Sequence, residues 1–191
     1  MQFTKYKIVL ASNSPRRQEL LKLMGIDFRI RIKPVDENYP DGLTPDEVAR
    51  YLCEKKAMAF EPDELSVGEL LITADTIVCL GGEIMNKPED RSHAIEMLRK
   101  LSGKKHQVIT GVALRSLEKM TSFTVSTDVV FKKLSDDDIS FYVDNYKPFD
   151  KAGAYGIQEW IGFVGIERID GSYFNVVGLP TARLYKELEE F

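Results

Sequence analysis

The chain has 191 residues, 43% hydrophobic and 29% charged, with a formal net charge of −4. That length suits one large domain or two closely packed lobes, and folding buries roughly two-thirds of the unfolded surface without help from a staple. The acidic balance argues against nucleic acid or an anionic membrane as partner, so any polyanionic ligand must be held by a local cationic site.

The first residues lead straight into a strand at Lys7–Ala11, a β-branched run that reads as buried. They contain no secretory h-region, and no apolar run approaches the ~18 residues of a membrane span, so a cytoplasmic location is expected. Ser14-Pro15 opens a helix, with serine as N-cap and proline at the first helical position. Leu20, Leu21, Leu23 and Met24 form its expected apolar face, and Gly25 stops it. A strand is expected over Phe28–Ile32. Thr44-Pro-Asp-Glu47 is a capping box that starts a helix reaching about Phe60.

Leu70–Leu80 reads as a central strand that turns back at Gly81-Gly82. Asp90–Leu101 is expected to be helical. Gln107–Ser116 and Thr121–Lys132 read as strands joined by a polar turn. Ser135-Asp-Asp-Asp138 caps another helix, which ends before Pro148. The glycine- and proline-rich stretch from Pro148 to Pro180 reads as loop, and Thr181–Phe191 as a closing helix. Strands and helices intermix without a strict βαβ rhythm, which predicts an α/β fold on a mixed sheet. No linker divides the chain, so a single domain over residues 1–191 is expected. Cys53 and Cys79 lack CxxC spacing and read as reduced core residues; His93 and His106 lack metal-ligand spacing and read as solvated.

The chemistry begins at Ser12-Asn-Ser-Pro-Arg-Arg17. A strand hands the chain to a helix N-terminus, whose free N–H groups and positive dipole end suit an anion. Arg16 and Arg17 in the first helical turn disfavour the helix itself, and a phosphate between those guanidinium forks would repay that cost. A plain capped helix with solvated arginines is the alternative, and the segment is not a P-loop. Asp75 and Thr76 interrupt an apolar strand. A carboxylate there either faces a cleft or acts as a structural hydrogen-bond hub. Asp36 and Glu37 alone read as a surface turn, but Glu37 with Asp75 forms a candidate pair for a hard cation such as Mg2+. Lys56 and Lys87 read individually as solvated lysines. The glycine-rich loops Asp150–Gln158 and Gly171–Pro180 offer backbone and amide edges for reading a base, or else are tight connections.

Together, Ser12–Arg17, Asp36-Glu37, Leu52-Cys-Glu-Lys-Lys-Ala57, Ala74-Asp-Thr76, Lys87-Pro88, Thr110-Gly111, Asp150–Gln158 and Gly171–Pro180 resemble the Maf family of nucleotide pyrophosphatases, in that family's order and across nearly the whole chain. Cys53 departs from the family's more usual alanine. The resemblance implies a hydrolase that cleaves a nucleoside triphosphate to the monophosphate and pyrophosphate. It implies a mixed, twisted sheet with flanking helices in two lobes around a central cleft, similar to inosine triphosphate pyrophosphatases, and a family whose members often form homodimers. By position, Asp75 matches the catalytic proton acceptor, and Glu37, Lys56 and Lys87 match the other polar catalytic positions. Ser12 and Arg17 match substrate-binding positions, and Arg16, Thr76 and Gln158 match the set that marks the dTTP/UTP subgroup. The implied cofactor is Mg2+ or Mn2+ on Glu37 and Asp75, and the implied partner is a small-molecule triphosphate, canonical or modified. Two rivals share the phosphate grip. A regulator of cell division that binds without turnover has no need of Asp75 and Glu37 together, and the Arg16, Thr76 and Gln158 set argues against a preference for 7-methyl-GTP.

Overall fold

The computed structural model describes residues 5–191; the lead-in at residues 1–4 lies outside them. By their internal contacts the described residues form two compact units. The first comprises the chain through Asp75, then Thr110–Val125 and Gly178–Phe191. The second comprises Thr76–Ile109 and Ser126–Val177.

In the first unit, Ile8, Val9 and Leu10 bury their side chains and form strand β1 (Lys7–Leu10). It pairs in parallel with β2 (Phe28–Ile30), Ile8 opposite Phe28, and with the start of β3 (Glu69–Leu80), Ile8 opposite Leu70. Helix α1 (Pro15–Leu23) starts as expected, with Ser14 Oγ accepting from Arg17 N. Its buried face is narrower than expected: Leu20 and Leu21 are buried, Met24 only partly, and Leu23 is 75% exposed. At 100° per residue, Leu23 points roughly 110° away from the direction shared by Leu20 and Leu21. Helix α2 (Pro45–Met58) carries the full capping box: Glu47 N donates to Thr44 Oγ1, and Thr44 N donates to Glu47 Oε2 at 2.8 Å. Its buried Cys53 and Ala57 pack with Val9, Phe60, Leu65, Leu71 and Ala113.

In the second unit, strand β4 (Glu83–Met85) folds back antiparallel on β3, confirming the hairpin at Gly81-Gly82. Helix α3 (Arg91–Leu101) is capped by Asp90. The strands β5 (Lys105–Arg115) and β6 (Met120–Phe131) follow, and both contribute residues to each unit. Helix α4 (Asp136–Tyr146) has its capping box at Ser135 and Asp138 and ends on Lys147 in the left-handed region at φ 46°.

The stretch expected to be loop contains helix α5 (Trp160–Gly165), strand β7 (Ile166–Asp170) and helix α6 (Tyr173–Val177). The glycines mislead because Gly162 serves close packing rather than a turn. A Cβ there would lie 1.7 Å from the Ile157 carbonyl oxygen. Strand β7 pairs antiparallel with β6, with an irregularity at Val130/Phe131. Helix α7 (Thr181–Glu190) closes the chain in the first unit, burying Leu184 and Leu188. Among the described residues the strands form a seven-stranded mixed sheet in the order β2-β1-β3-β5-β6-β7, with β4 on β3.

One histidine differs from expectation. His106 is 2% exposed, with Nε2 2.8 Å from the Tyr155 hydroxyl and its ring edge-on to Phe131. Burial pulls its pKa down to about 4, so the imidazole is neutral. It opens β5 on the buried side of the strand, which a reading of its Lys-Lys-His-Gln neighbours as a polar turn could not reveal. Both cysteines are free and buried, as expected.

Candidate active site

The first unit brings three of the expected residues into direct contact. Asp75 lies in β3 and is almost fully buried, so its charge requires a partner. Lys56, in the last turn of α2, provides it: Nζ donates to Asp75 Oδ1 and also reaches Glu37 Oε1 at 2.8 Å. A cation in a last helical turn is also favoured by the helix dipole. One ammonium therefore holds two carboxylates from segments distant in sequence.

Several groups to which the sequence alone assigns no role fix α2 in place. Thr73 shares a strand face with Asp75 by the two-residue period, and its hydroxyl donates to the Cys53 carbonyl at 2.6 Å. Arg115 is buried at the end of β5, and its Nη1 donates to the carbonyls of Ala57 (2.6 Å) and Phe60 (2.7 Å). These carbonyls belong to the C-terminal end of α2 and the residues just after it, where acceptors lack helical partners. Gly111 permits the close approach of β5 to α2, since a Cβ there would sit 2.2 Å from Ala49 O. The polar residues within otherwise apolar strands were the available signal for Thr73 and Arg115, but their partners were not.

The α1 start is equally fixed. Ser12 Oγ accepts from Ser14 N at 3.2 Å and from Arg17 Nη1 at 3.3 Å. Arg17 also donates from Nε to Gly178 O and from Nη1 to Ala74 O, both at 2.8 Å. Arg17 thus joins the turn after β1 to the residue before Asp75. Burial lowers its pKa; Asp75 opposes that shift, Arg16 adds to it and Glu37 opposes it, so these four charges act on one another. Cys53 takes no part as a nucleophile: burial pushes its thiol up to about 12, which keeps it protonated.

The second unit carries Thr76, Lys87 and Gln158. Thr76 is partly buried in β3, and Lys87 is exposed in the segment after β4. Gly153 N donates to Asn86 O at 3.2 Å, tying the Asp150–Gln158 segment to the residue before Lys87. Gln158 is partly buried, and its Oε1 is a buried oxygen with no hydrogen-bond partner among the described residues.

The family model described as Maf-like protein matches residues 7–191. The chain belongs to the Maf family. It is 54% identical over 187 residues to a dTTP/UTP pyrophosphatase of Bacteroides thetaiotaomicron, covering 97% of this chain and 96% of that protein. Proteins of the same description from Bacteroides fragilis and Flavobacterium psychrophilum are 55% and 51% identical, over 97% and 96% of this chain and 96% and 94% of theirs. Among solved structures, a HAM1 protein from Coxiella burnetii aligns at TM-score 0.46 and 16% identity, over 97% of this chain and 100% of that one.

No group of three or more His, Cys, Asp or Glu side chains that could hold a metal occurs among the described residues. Glu37 and Asp75 offer hard oxygen donors, and a cation such as Mg2+ normally takes one or two carboxylates with the remaining positions filled by phosphate and water. Their oxygens are the donor type that such a cation takes, and the Lys56 ammonium bridges them in this structure.

Proposed function

We propose that this chain hydrolyses dTTP and UTP between the α- and β-phosphates, releasing the monophosphate and pyrophosphate. The observation that carries the proposal is the Glu37–Lys56–Asp75 contact, two carboxylates around one ammonium, in the same unit as the arginine-flanked start of α1. A pure nucleotide binder needs the cations and the helix start but not the paired carboxylates. The names carried by relatives at about half identity support the same substrates.

In this reading the α1 N–H groups, Ser12, Arg16, Arg17, Lys56 and Lys87 bind phosphate oxygens. Arg17 adds its charge from a fixed position set by Gly178 and Ala74. Asp75 accepts a proton from the water that attacks the α-phosphorus, and Glu37 shares Lys56 with it. Glu37 and Asp75 would also hold a divalent cation, Mg2+ or Mn2+, which when bound supplies charge neutralisation and a water of lowered pKa. Most of the rate gain comes from positioning and charge stabilisation, because phosphoryl-type transfer asks for little covalent help. Gln158 reads the base: its unpartnered Oε1 suits the N3–H of uracil or thymine, and its NH2 suits O4. Arg16 and Thr76 complete the specificity set.

In the same reading, residues 1–191 act as one catalytic domain on free nucleotides in the cytoplasm. No helix among the described residues is long and apolar enough to cross a membrane.

The test is pyrophosphate release from dTTP, UTP, dCTP, GTP and 7-methyl-GTP with Mg2+ or Mn2+, by the parent and by Asp75→Asn. The parent should favour dTTP and UTP, and the variant should lose about 100-fold or more in turnover, the scale of a general base. A parent that binds dTTP without releasing pyrophosphate overturns the activity. An Asn variant as fast as the parent overturns the role of Asp75.

A further inference from the structure

Lys151 is only 8% exposed, an unusual position for an ammonium. Its Nζ lies 2.7 Å from Asp150 Oδ1 and 3.1 Å from Glu159 Oε1. The other Glu159 oxygen accepts the Tyr142 hydroxyl from α4, and the Tyr142 oxygen accepts the Gly156 N–H at 2.9 Å. Burial pushes the Tyr142 pKa up, which keeps its hydroxyl protonated as a donor. A continuous polar chain thus runs Asp150–Lys151–Glu159–Tyr142–Gly156, wholly within the second unit.

This chain spans the segment that carries Gln158. The residue after Gln158 supplies the shared carboxylate. The residue before it, Ile157, presses its carbonyl against Gly162 so closely that no side chain fits there. Gly156 is bare for a similar reason: a Cβ would meet the Glu159 carboxylate carbon at 2.8 Å. Gln158 is therefore held on both sides while its own Oε1 stays without a partner.

Buried ionic networks are poor sources of net stability, because desolvation offsets most of their attraction. What they supply well is a fixed geometry. We propose that Lys151, Glu159 and Tyr142 are positioning residues that hold the Gln158 amide in the orientation that reads the nucleotide base. The proposal rests on the reading of Gln158 as the base contact, and neither Glu159 nor Tyr142 touches the substrate in it.

The experiment measures kcat and KM for dTTP and GTP in Tyr142→Phe, Glu159→Gln and Gln158→Ala, with Val143→Ala as a core-truncation control on the same helix. Tyr142→Phe and Glu159→Gln should each lower the dTTP-over-GTP preference in kcat/KM by about tenfold, mainly through KM for dTTP, the scale of one charge-assisted hydrogen bond. Val143→Ala should lower the melting temperature without moving the preference. Adding Tyr142→Phe to Gln158→Ala should cause no further loss of preference, because no amide remains to be oriented. A collapsed preference in Gln158→Ala, beside an unchanged one in Tyr142→Phe and Glu159→Gln, overturns the positioning role and leaves the base contact standing. An unchanged preference in Gln158→Ala overturns the base contact and the positioning role together. A shift in Val143→Ala equal to that in Tyr142→Phe reduces the network to ordinary structural support and overturns the proposal. If Tyr142→Phe fails to fold, Glu159→Gln decides, since its amide oxygen can still accept the Tyr142 hydroxyl while the ion pair is lost.

Discussion

Replacing Gly111 with alanine tests whether the placement of α2 governs both stability and activity. The added Cβ would meet Ala49 O at 2.2 Å, Ala49 C at 2.6 Å and Arg50 N at 3.0 Å. All three are backbone atoms of α2, so no rotamer change relieves the clash. Gly111 is not in the left-handed region, so the penalty is steric rather than conformational. Restoring normal contact requires α2 to move by roughly 1 Å from β5. Overpacking of this kind costs about 1–3 kcal/mol. The same displacement carries Lys56 away from Glu37, now 2.8 Å distant, and from Asp75. A misplacement of about 1 Å in catalytic machinery is worth roughly 100-fold in rate. Urea titration and pyrophosphate release from dTTP measure the two effects. Gly111→Ala should show a lower urea midpoint and a kcat/KM reduced by about two orders of magnitude. An unchanged midpoint with full activity would refute the argument that this close approach sets the position of Lys56.

Lys56→Met leaves Asp75 and Glu37 facing each other without their shared cation. It should lower stability by about 1–2 kcal/mol, discounted for the partial exposure of Glu37, and abolish most turnover. Adding Asp75→Asn should recover stability but not activity, and a double variant no more stable than Lys56→Met would argue against the pairing. Arg115→Met removes the guanidinium from the Phe60 carbonyl and leaves the Ala57 carbonyl only its long backbone bond from Phe60 N at 3.4 Å, and it should cost about 1–3 kcal/mol, read as a lowered melting temperature. An unchanged melting temperature would mean that water replaces the guanidinium. His106 titrates near 6.5 when unfolded and at about 4 when folded. The unfolded state therefore takes up the proton first: this contribution is complete above pH 6.5 and is lost as pH falls toward 4, up to about 3 kcal/mol. Denaturation at pH 7.5 and pH 4.5 should show a smaller difference for His106→Gln than for the parent; equal differences would assign the acid loss to other groups.

What the sequence revealed depended on whether the signal was local. Thr44 and Glu47 satisfy each other's backbone across three residues, so the start of α2 was legible without knowledge of the rest of the chain. Ser14 and Pro15 opened α1 for the same reason. Asp75 was legible as a group that needs a partner, because a carboxylate in an apolar strand always does. That the partner is Lys56, 19 residues earlier, was hidden, because the meeting of helix and strand is decided by packing. Arg115 and the carbonyls it caps are 58 and 55 residues apart, and Thr73 and Cys53 are 20 apart, so no pattern in one segment could join them. Gly162 and Gly165 failed as loop markers because they lie in α5, where Gly162 serves a close backbone approach, while Gly171 and Gly178 do sit between elements with positive φ, and sequence does not separate the two uses. The burial of His106 depended on Tyr155, 49 residues away.

The two cysteines acquire a use from where they lie. Cys53 sits on α2 in the first unit, and Cys79 in β3 of the second, opposite Ile84 of β4. Both thiols are shielded, so an alkylating reagent reaches each only during a local opening of its own surroundings. Labelling rates in Cys53→Ala and Cys79→Ala therefore supply two separate clocks, one for the lifting of α2 and one for the fraying of the β3–β4 hairpin. Added nucleotide slows whichever clock belongs to a region that it stabilises. The native thiols thus map, with no introduced cysteine, where the fold yields first and where substrate binding is felt.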